Sequence, residues 1–226
     1  MQSTLEYQLP RYVSSRLDLP GGTCYRSGVK QNIANAVTLS RVVLVLPFWV
    51  AFGRPGMRCA VVALVCVFLM ELSDLLDGTI ARRIGVVSDV GKLLDPAADS
   101  FSRLAVFLAL ATHAAPGGGE PWFPAWGVAL LLLRDVGVSF LRQLAAVSGV
   151  VVAARPSGKI KALVQGGAIW LILALHLRAT AAGSADDQAR QVALVAAIVA
   201  VVVTLVSLVD YMRGVLGGPT KGKSSP

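Results

Sequence analysis

With 226 residues, 55% of them hydrophobic and only 15% charged, and a mean hydropathy of +0.66, the chain lacks the polar surface that a soluble domain of this size needs. The balance points to a polytopic membrane protein with one membrane domain. A formal charge of +8 would suit nucleic acid, but no soluble basic face or aromatic platform accompanies it, so no nucleic-acid partner is expected; the cations read as topology signals and contacts to anionic lipid.

In chain order, residues 1–31 form a leader in which Pro10 and Pro20 break any long helix, leaving a short interfacial helix or plain disorder. It has no sustained apolar run, so no secretory signal is expected and the first span stays in the mature protein. Six stretches then approach the roughly 20 residues that cross a bilayer core as helix. They lie near 33–53, 59–82, 92–113, 123–146, 159–178 and 190–212. The turns GRPGM at 53–57, PGGGEP at 116–121 and AAGSADD at 181–187 separate alternate pairs, and the ionisable residues gather in the loops at 83–91 and 147–159. Residues 214–226 are rich in Gly, Lys and Ser and read as a flexible tail. The expected class is therefore all-α, a polytopic membrane protein with six transmembrane helices: a leader at 1–31, a membrane domain at 32–213 and a tail at 214–226.

Six spans place thirteen Lys and Arg residues on the side of the termini and only Arg54, Arg58, Arg178 and Arg190 on the other. By the positive-inside rule both termini, leader and tail included, lie in the cytoplasm, with the protein multi-pass in the cell's inner membrane. The stretch DLLDGTIARRIGVVSDVGKLLDPAAD at 74–99 then falls at the inner boundary. Asp74 and Asp77 are three apart and Asp95 and Asp99 four apart, so on helices each pair shares a face.

Charges within spans cost roughly 2.5–3.5 kcal/mol each on insertion scales, so four acids need partners. Hard divalent cations, Mg²⁺ or Mn²⁺, suit carboxylate oxygen. The alternative is pairing with Arg82, Arg83 and Lys92, or simple solvation. Gly78 and Ala81 permit close approach, and Arg82 one turn after Gly78 can grip a phosphate. Two cations clamping a pyrophosphate would stabilise both attacking and leaving oxygens.

The pattern D-x2-D-G-x2-A-R-x8-G-x3-D-x3-D is met at Asp74, Asp77, Gly78, Ala81, Arg82, Gly91, Asp95 and Asp99. In this the chain resembles the CDP-alcohol phosphatidyltransferases, six-helix membrane enzymes that form dimers. The resemblance implies two divalent cations held chiefly by Asp74, Asp77 and Asp95, with Asp99 near the metals and acting as general base. It places Gly78, Ala81 and Arg82 at the CDP site. NIANAVTLSR at 32–41 is similar to the family's Pro-Asn-x-x-Thr segment and implies Asn35 and Thr38 near the nucleotide, although Ala34 replaces the proline.

GKLLDPAAD at 91–99, RDVGVSFLR at 134–142 and SGKIKALVQ at 157–165 resemble one branch, the phosphatidylglycerophosphate synthases. That branch implies CDP-diacylglycerol as donor and glycerol 3-phosphate as acceptor, with Arg134, Arg142, Lys159 and Lys161 on the acceptor phosphate. A dianionic acceptor needs such cations; the competing reading makes Lys159 and Lys161 topology signals only, and lets Arg134 pair with Asp135. Where the branch usually has Lys after the fourth aspartate, this chain has Ser100, with Arg103 one turn later. Other alcohols (inositol phosphate, serine, phosphatidylglycerol) remain alternatives, as does a divalent-cation transporter, which would have no need of Arg82.

His113 and His176 fall near outer span ends and read as interfacial packing, and Trp49, Trp122, Trp126 and Trp170 as interface anchors or lipid-facing bulk. Glu71, Asp89 and Asp210 read as solvated or paired. Arg41 reads equally as a phosphate contact or an intramembrane salt bridge. The uneven spacing of Cys24, Cys59 and Cys66 gives no disulfide or zinc framework.

Overall fold

The computed structural model describes residues 39–84, 89–147 and 156–216, with side chains at 39–74, 97–144 and 157–215. Six helices account for most of them: α1 Leu39–Phe52, α2 Met57–Ile84, α3 Asp89–Thr112, α4 Ala125–Val147, α5 Pro156–Ala182 and α6 Asp187–Leu216. The all-α expectation holds, with one addition. The PGGGEP loop is not a simple turn: β1 (Ala114–Ala115) pairs antiparallel with β2 (Gly119–Pro121), joining α3 to α4 by a small hairpin. Two paired residues on one side are too few to leave an alternating pattern in sequence.

Helices begin and end where local chemistry dictates. Pro156 opens α5, where its missing N–H costs nothing. Gly183, at φ 82°, follows the last residue of α5 in the left-handed conformation that closes a helix, and Asp186 then caps α6 by accepting the Ala189 N–H at 2.8 Å. The hairpin is fastened to this connection by Ala185 N donating to Pro116 O at 3.2 Å.

Packing explains the composition. Along α6 the buried positions Ala189, Ala193, Ala197, Ala200, Thr204, Ser207 and Tyr211 recur at helical spacing and are mostly small, which lets α5 and α4 approach closely. Its other faces carry exposed Val195, Val199, Val202 and Val206, so the helix is apolar all round. Ser157–Ala182 and Asp187–Val215 are both long and apolar enough to cross a bilayer. Between the helices, Phe48, Phe107, Leu110, Phe123, Leu131 and Ile172 form a core with almost no exposure.

Two ends of the bundle result. The hairpin, the C-termini of α1, α3 and α5 and the N-termini of α2, α4 and α6 form one; Asp74 and Asp99 lie towards the other.

Candidate active site

The spacing argument predicts that the carboxylates sit in pairs on helices, and the backbone places them so: Asp74 and Asp77 on α2, Asp95 and Asp99 on α3. Of the four, the side chains of Asp74 and Asp99 are described. They line one cavity of ≈ 50 Å³ together with Arg41, Glu71, Ser102 and Arg103. That space suits cations and a few waters, not a nucleotide. A nucleotide must lie outside it.

Arg41, from α1, forms the floor. Its side chain is 3% exposed, with Nη2 at 3.1 Å from Asp74 Oδ1 and Nη1 at 3.9 Å from Asp99 Oδ1, while the two carboxylates are 50% and 38% exposed. The ion-pair reading of Arg41 is met. The charge is buried and its partners reach outward, so the oxygens remain available to a ligand. Arg103, one turn after Asp99, donates from Nη2 to Asp99 Oδ1 at 2.7 Å and from Nη1 to the Ala162 carbonyl of α5 at 3.1 Å. Both cations address the same oxygen, Oδ1, which leaves Oδ2 free of described partners.

Glu71 completes the wall. Trp170 Nε1 on α5 donates to its Oε2 at 2.6 Å, and Gly166 leaves room beside it, since a Cβ there would stand 3.5 Å from Oε1. The paired reading of Glu71 is met, as is that of Asp210, which accepts from Ser157 Oγ at 2.6 Å. The tryptophans differ from their expected role. Trp49 donates to the Ala105 carbonyl at 3.0 Å and Trp122 to His176 Nδ1 at 3.0 Å, so with Trp170 three of the four turn their indole N–H inward; Trp126, 53% exposed, matches lipid-facing bulk. An indole N–H buried among helices must find an acceptor, and these three do.

From Arg103 a polar seam continues across the bundle. Lys161, beside the Ala162 carbonyl, places Nζ at 2.6 Å from Asp135 Oδ1; Arg134 Nη1 reaches the same oxygen at 3.0 Å, and its Nη2 donates to Ser207 Oγ at 2.9 Å. All three charged side chains are about nine-tenths buried. Of the expected acceptor-phosphate residues, the structure brings together Arg134 and Lys161, around Asp135, and leaves Arg142 and Lys159 exposed. Asn35 and Thr38 lie outside the described residues. Gly78, Ala81 and Arg82 follow Asp77 along α2, their side chains outside those described, as are those of Asp77 and Asp95.

Arg103, noted one turn after the Ser100 that replaces the usual Lys, is four residues from Asp99 and pairs with it as that spacing allows. Arg41 stood out as a charge in an apolar stretch, but nothing local names its partner Asp74 on another helix, nor Trp170 as the partner of Glu71.

All-oxygen donors in a small, partly open cavity fit hard divalent cations. Among the described residues, which do not include the side chains of Asp77 and Asp95, no three such ligands cluster.

Residues 31–212 match the family model described as CDP-alcohol phosphatidyltransferase. The chain belongs to the CDP-alcohol phosphatidyltransferase family. Its similarity to named members agrees. A CDP-diacylglycerol--glycerol-3-phosphate 3-phosphatidyltransferase of Treponema pallidum (strain Nichols) is 34% identical over 155 residues, 63% of this chain and 68% of that protein. A probable phosphatidylglycerophosphate synthase of Mycobacterium tuberculosis (strain ATCC 25618 / H37Rv) is 34% identical over 145 residues, 63% of this chain and 66% of that one. A Bacillus subtilis (strain 168) protein with the same name as the Treponema one is 31% identical over 157 residues, 64% and 77% respectively. As a CDP-alcohol phosphatidyltransferase the chain is an enzyme, and the cation-transporter alternative gives way.

Proposed function

We propose that this chain is a six-span membrane enzyme that transfers the phosphatidyl group of CDP-diacylglycerol to glycerol 3-phosphate, yielding phosphatidylglycerophosphate and CMP. The observation that carries the reading is the convergence of Asp74 and Asp99, from separate helices, on one cavity beside Arg41 and Arg103. Asp74, Asp77 and Asp95 would hold two divalent cations, Mg²⁺ or Mn²⁺, with Asp99 at their edge. When bound, these supply electrophilic stabilisation of the pyrophosphate and of the departing CMP.

The chain's own residues do the rest. Asp99, held at Oδ1 by Arg103, presents Oδ2 to the acceptor hydroxyl and takes its proton as the oxygen bonds to the lipid-linked phosphorus and the bond to CMP breaks. Asn35, Thr38, Gly78, Ala81 and Arg82 bind the CDP moiety, with Arg82 donating to phosphate. Arg134 and Lys161 supply the acceptor phosphate with charge from the seam, and Arg142 and Lys159 from the exposed rim. Arg103 stands in for the lysine that Ser100 replaces.

The membrane domain is residues 32–213, with the leader at 1–31, the tail at 214–226 and the active site in the cytoplasm. The enzyme works as a homodimer in the inner membrane. Apolar exposure on α6 and the two bilayer-length helices support the embedding.

The test is CMP release by detergent-purified protein given CDP-diacylglycerol and, in turn, glycerol 3-phosphate, inositol phosphate, serine and phosphatidylglycerol. Release is expected with glycerol 3-phosphate alone, to vanish with a chelator and to return with Mg²⁺ or Mn²⁺. Release with a different alcohol would reassign the acceptor.

A further inference from the structure

The hairpin end carries a second cavity, of ≈ 380 Å³, walled in part by Trp122, Phe123, Ala193 and Leu194. Two charged residues line it, Arg190 of α6 and Glu120 of β2. The Arg190 backbone N–H is committed to Asp186 O at 3.2 Å, but its guanidinium makes no hydrogen bond or ion pair with any described residue, and its Nε is buried. Its terminal Nη2 lies where a Cβ on Gly119 would stand, and Glu120, the acid of the same cavity, makes no ion pair with it among the described residues.

A cation held this way at the end of a bilayer-length helix favours an anion. Leu194 shows where that anion comes from. It lines the cavity and is also 47% exposed, beside Val195 at 60%, so the cavity opens onto the apolar flank of α6. One cationic and one anionic side chain at the polar end, with hydrocarbon leading away, complement a zwitterionic phospholipid. A free phosphate dianion would meet the Glu120 carboxylate and gain nothing from Leu194.

We propose that this cavity binds the headgroup of an ammonium-bearing phospholipid from the leaflet opposite the carboxylate cluster. The phosphodiester sits on Arg190, the ammonium on Glu120 and the first acyl methylenes on Leu194. The site rests on the membrane reading above and is independent of the transfer chemistry.

Delipidated full-length protein in detergent, titrated with phosphatidylethanolamine, phosphatidylglycerol or inorganic phosphate and followed by native mass spectrometry, tests it. Phosphatidylethanolamine should bind preferentially, Arg190→Gln should weaken it by about tenfold, the size of one lost charge-assisted hydrogen bond, and Glu120→Gln should abolish the preference over phosphatidylglycerol. Metal-dependent CMP release should be unchanged in both. Gly119→Ala, which displaces the guanidinium while keeping its charge, should reproduce the Arg190→Gln loss and decides the matter should that variant not fold. Wild-type binding by Gly119→Ala or Arg190→Gln, or equal binding of phosphatidylglycerol or phosphate, overturns the site. Lipid binding with no CMP release would leave it standing and remove only the transfer reading.

Discussion

At the hairpin end the polar groups within the core meet aromatic rings and one another. Trp122 donates to His176, His176 lies tilted against Phe52 at 4.4 Å, and His113 and Trp49 meet edge to face at 5.1 Å. Towards the other end the same bundle buries Arg41, Arg134 and Lys161 among carboxylates that are shared or half exposed. Packed aromatic and imidazole pairs suit rigidity, because their partners are met within the bundle. Shared ion pairs are costly to bury and worth keeping where a charged ligand must be received. The molecule thus separates the end that holds it together from the end that does chemistry, and substitutions should divide the same way.

The largest expected effect is on rate alone. Asp99→Asn should lower CMP release by about 10²–10⁴-fold, the usual contribution of a positioned base, with thermal unfolding in detergent little changed; full activity would remove Asp99 as the base. Next comes the seam. Asp135→Leu strands Arg134 and Lys161 without their shared carboxylate and should cost about 3–5 kcal/mol of stability, as breaking a buried pair does, read from the unfolding midpoint. At the hairpin end Trp122→Phe removes the donor to His176 and should cost about 1–3 kcal/mol while leaving turnover per folded molecule unchanged; a loss of turnover would erase the distinction between the ends. The smallest effect is Asp186→Ala, which uncaps α6 for about 1 kcal/mol, seen as faster amide exchange in its first turn.

The helical placement of the aspartates was legible because it is local: residues three and four apart on a helix share a face whatever surrounds them. The helices themselves were legible from apolar runs, though α2, α5 and α6 extend past the hydrophobic stretches at both ends and α3 at its start; the Asp186 cap of α6 and the Gly183 stop after α5 are signals that hydropathy does not carry. Lys161 with Asp135, Arg41 with Asp74 and Trp170 with Glu71 were not, since each joins different helices and depends on how these rotate against one another. Tryptophan misled for the same reason. Its amphipathic ring suits a membrane interface, but Trp49, Trp122 and Trp170 each had an inward acceptor that only packing reveals.

The shared carboxylate of Asp135 also bears on how the chain is made. Arg134 and Asp135 are neighbours on α4 and pair with each other there, so the charge of Arg134 is offset within its own helix. Lys161 arrives later, on α5, and finds an acceptor waiting. Arg41 has no such companion on α1: its partners Asp74 and Asp99 emerge only with α2 and α3. Of Arg41, Arg134 and Lys161, Arg41 is thus the one whose described acid partners all come from helices made after its own.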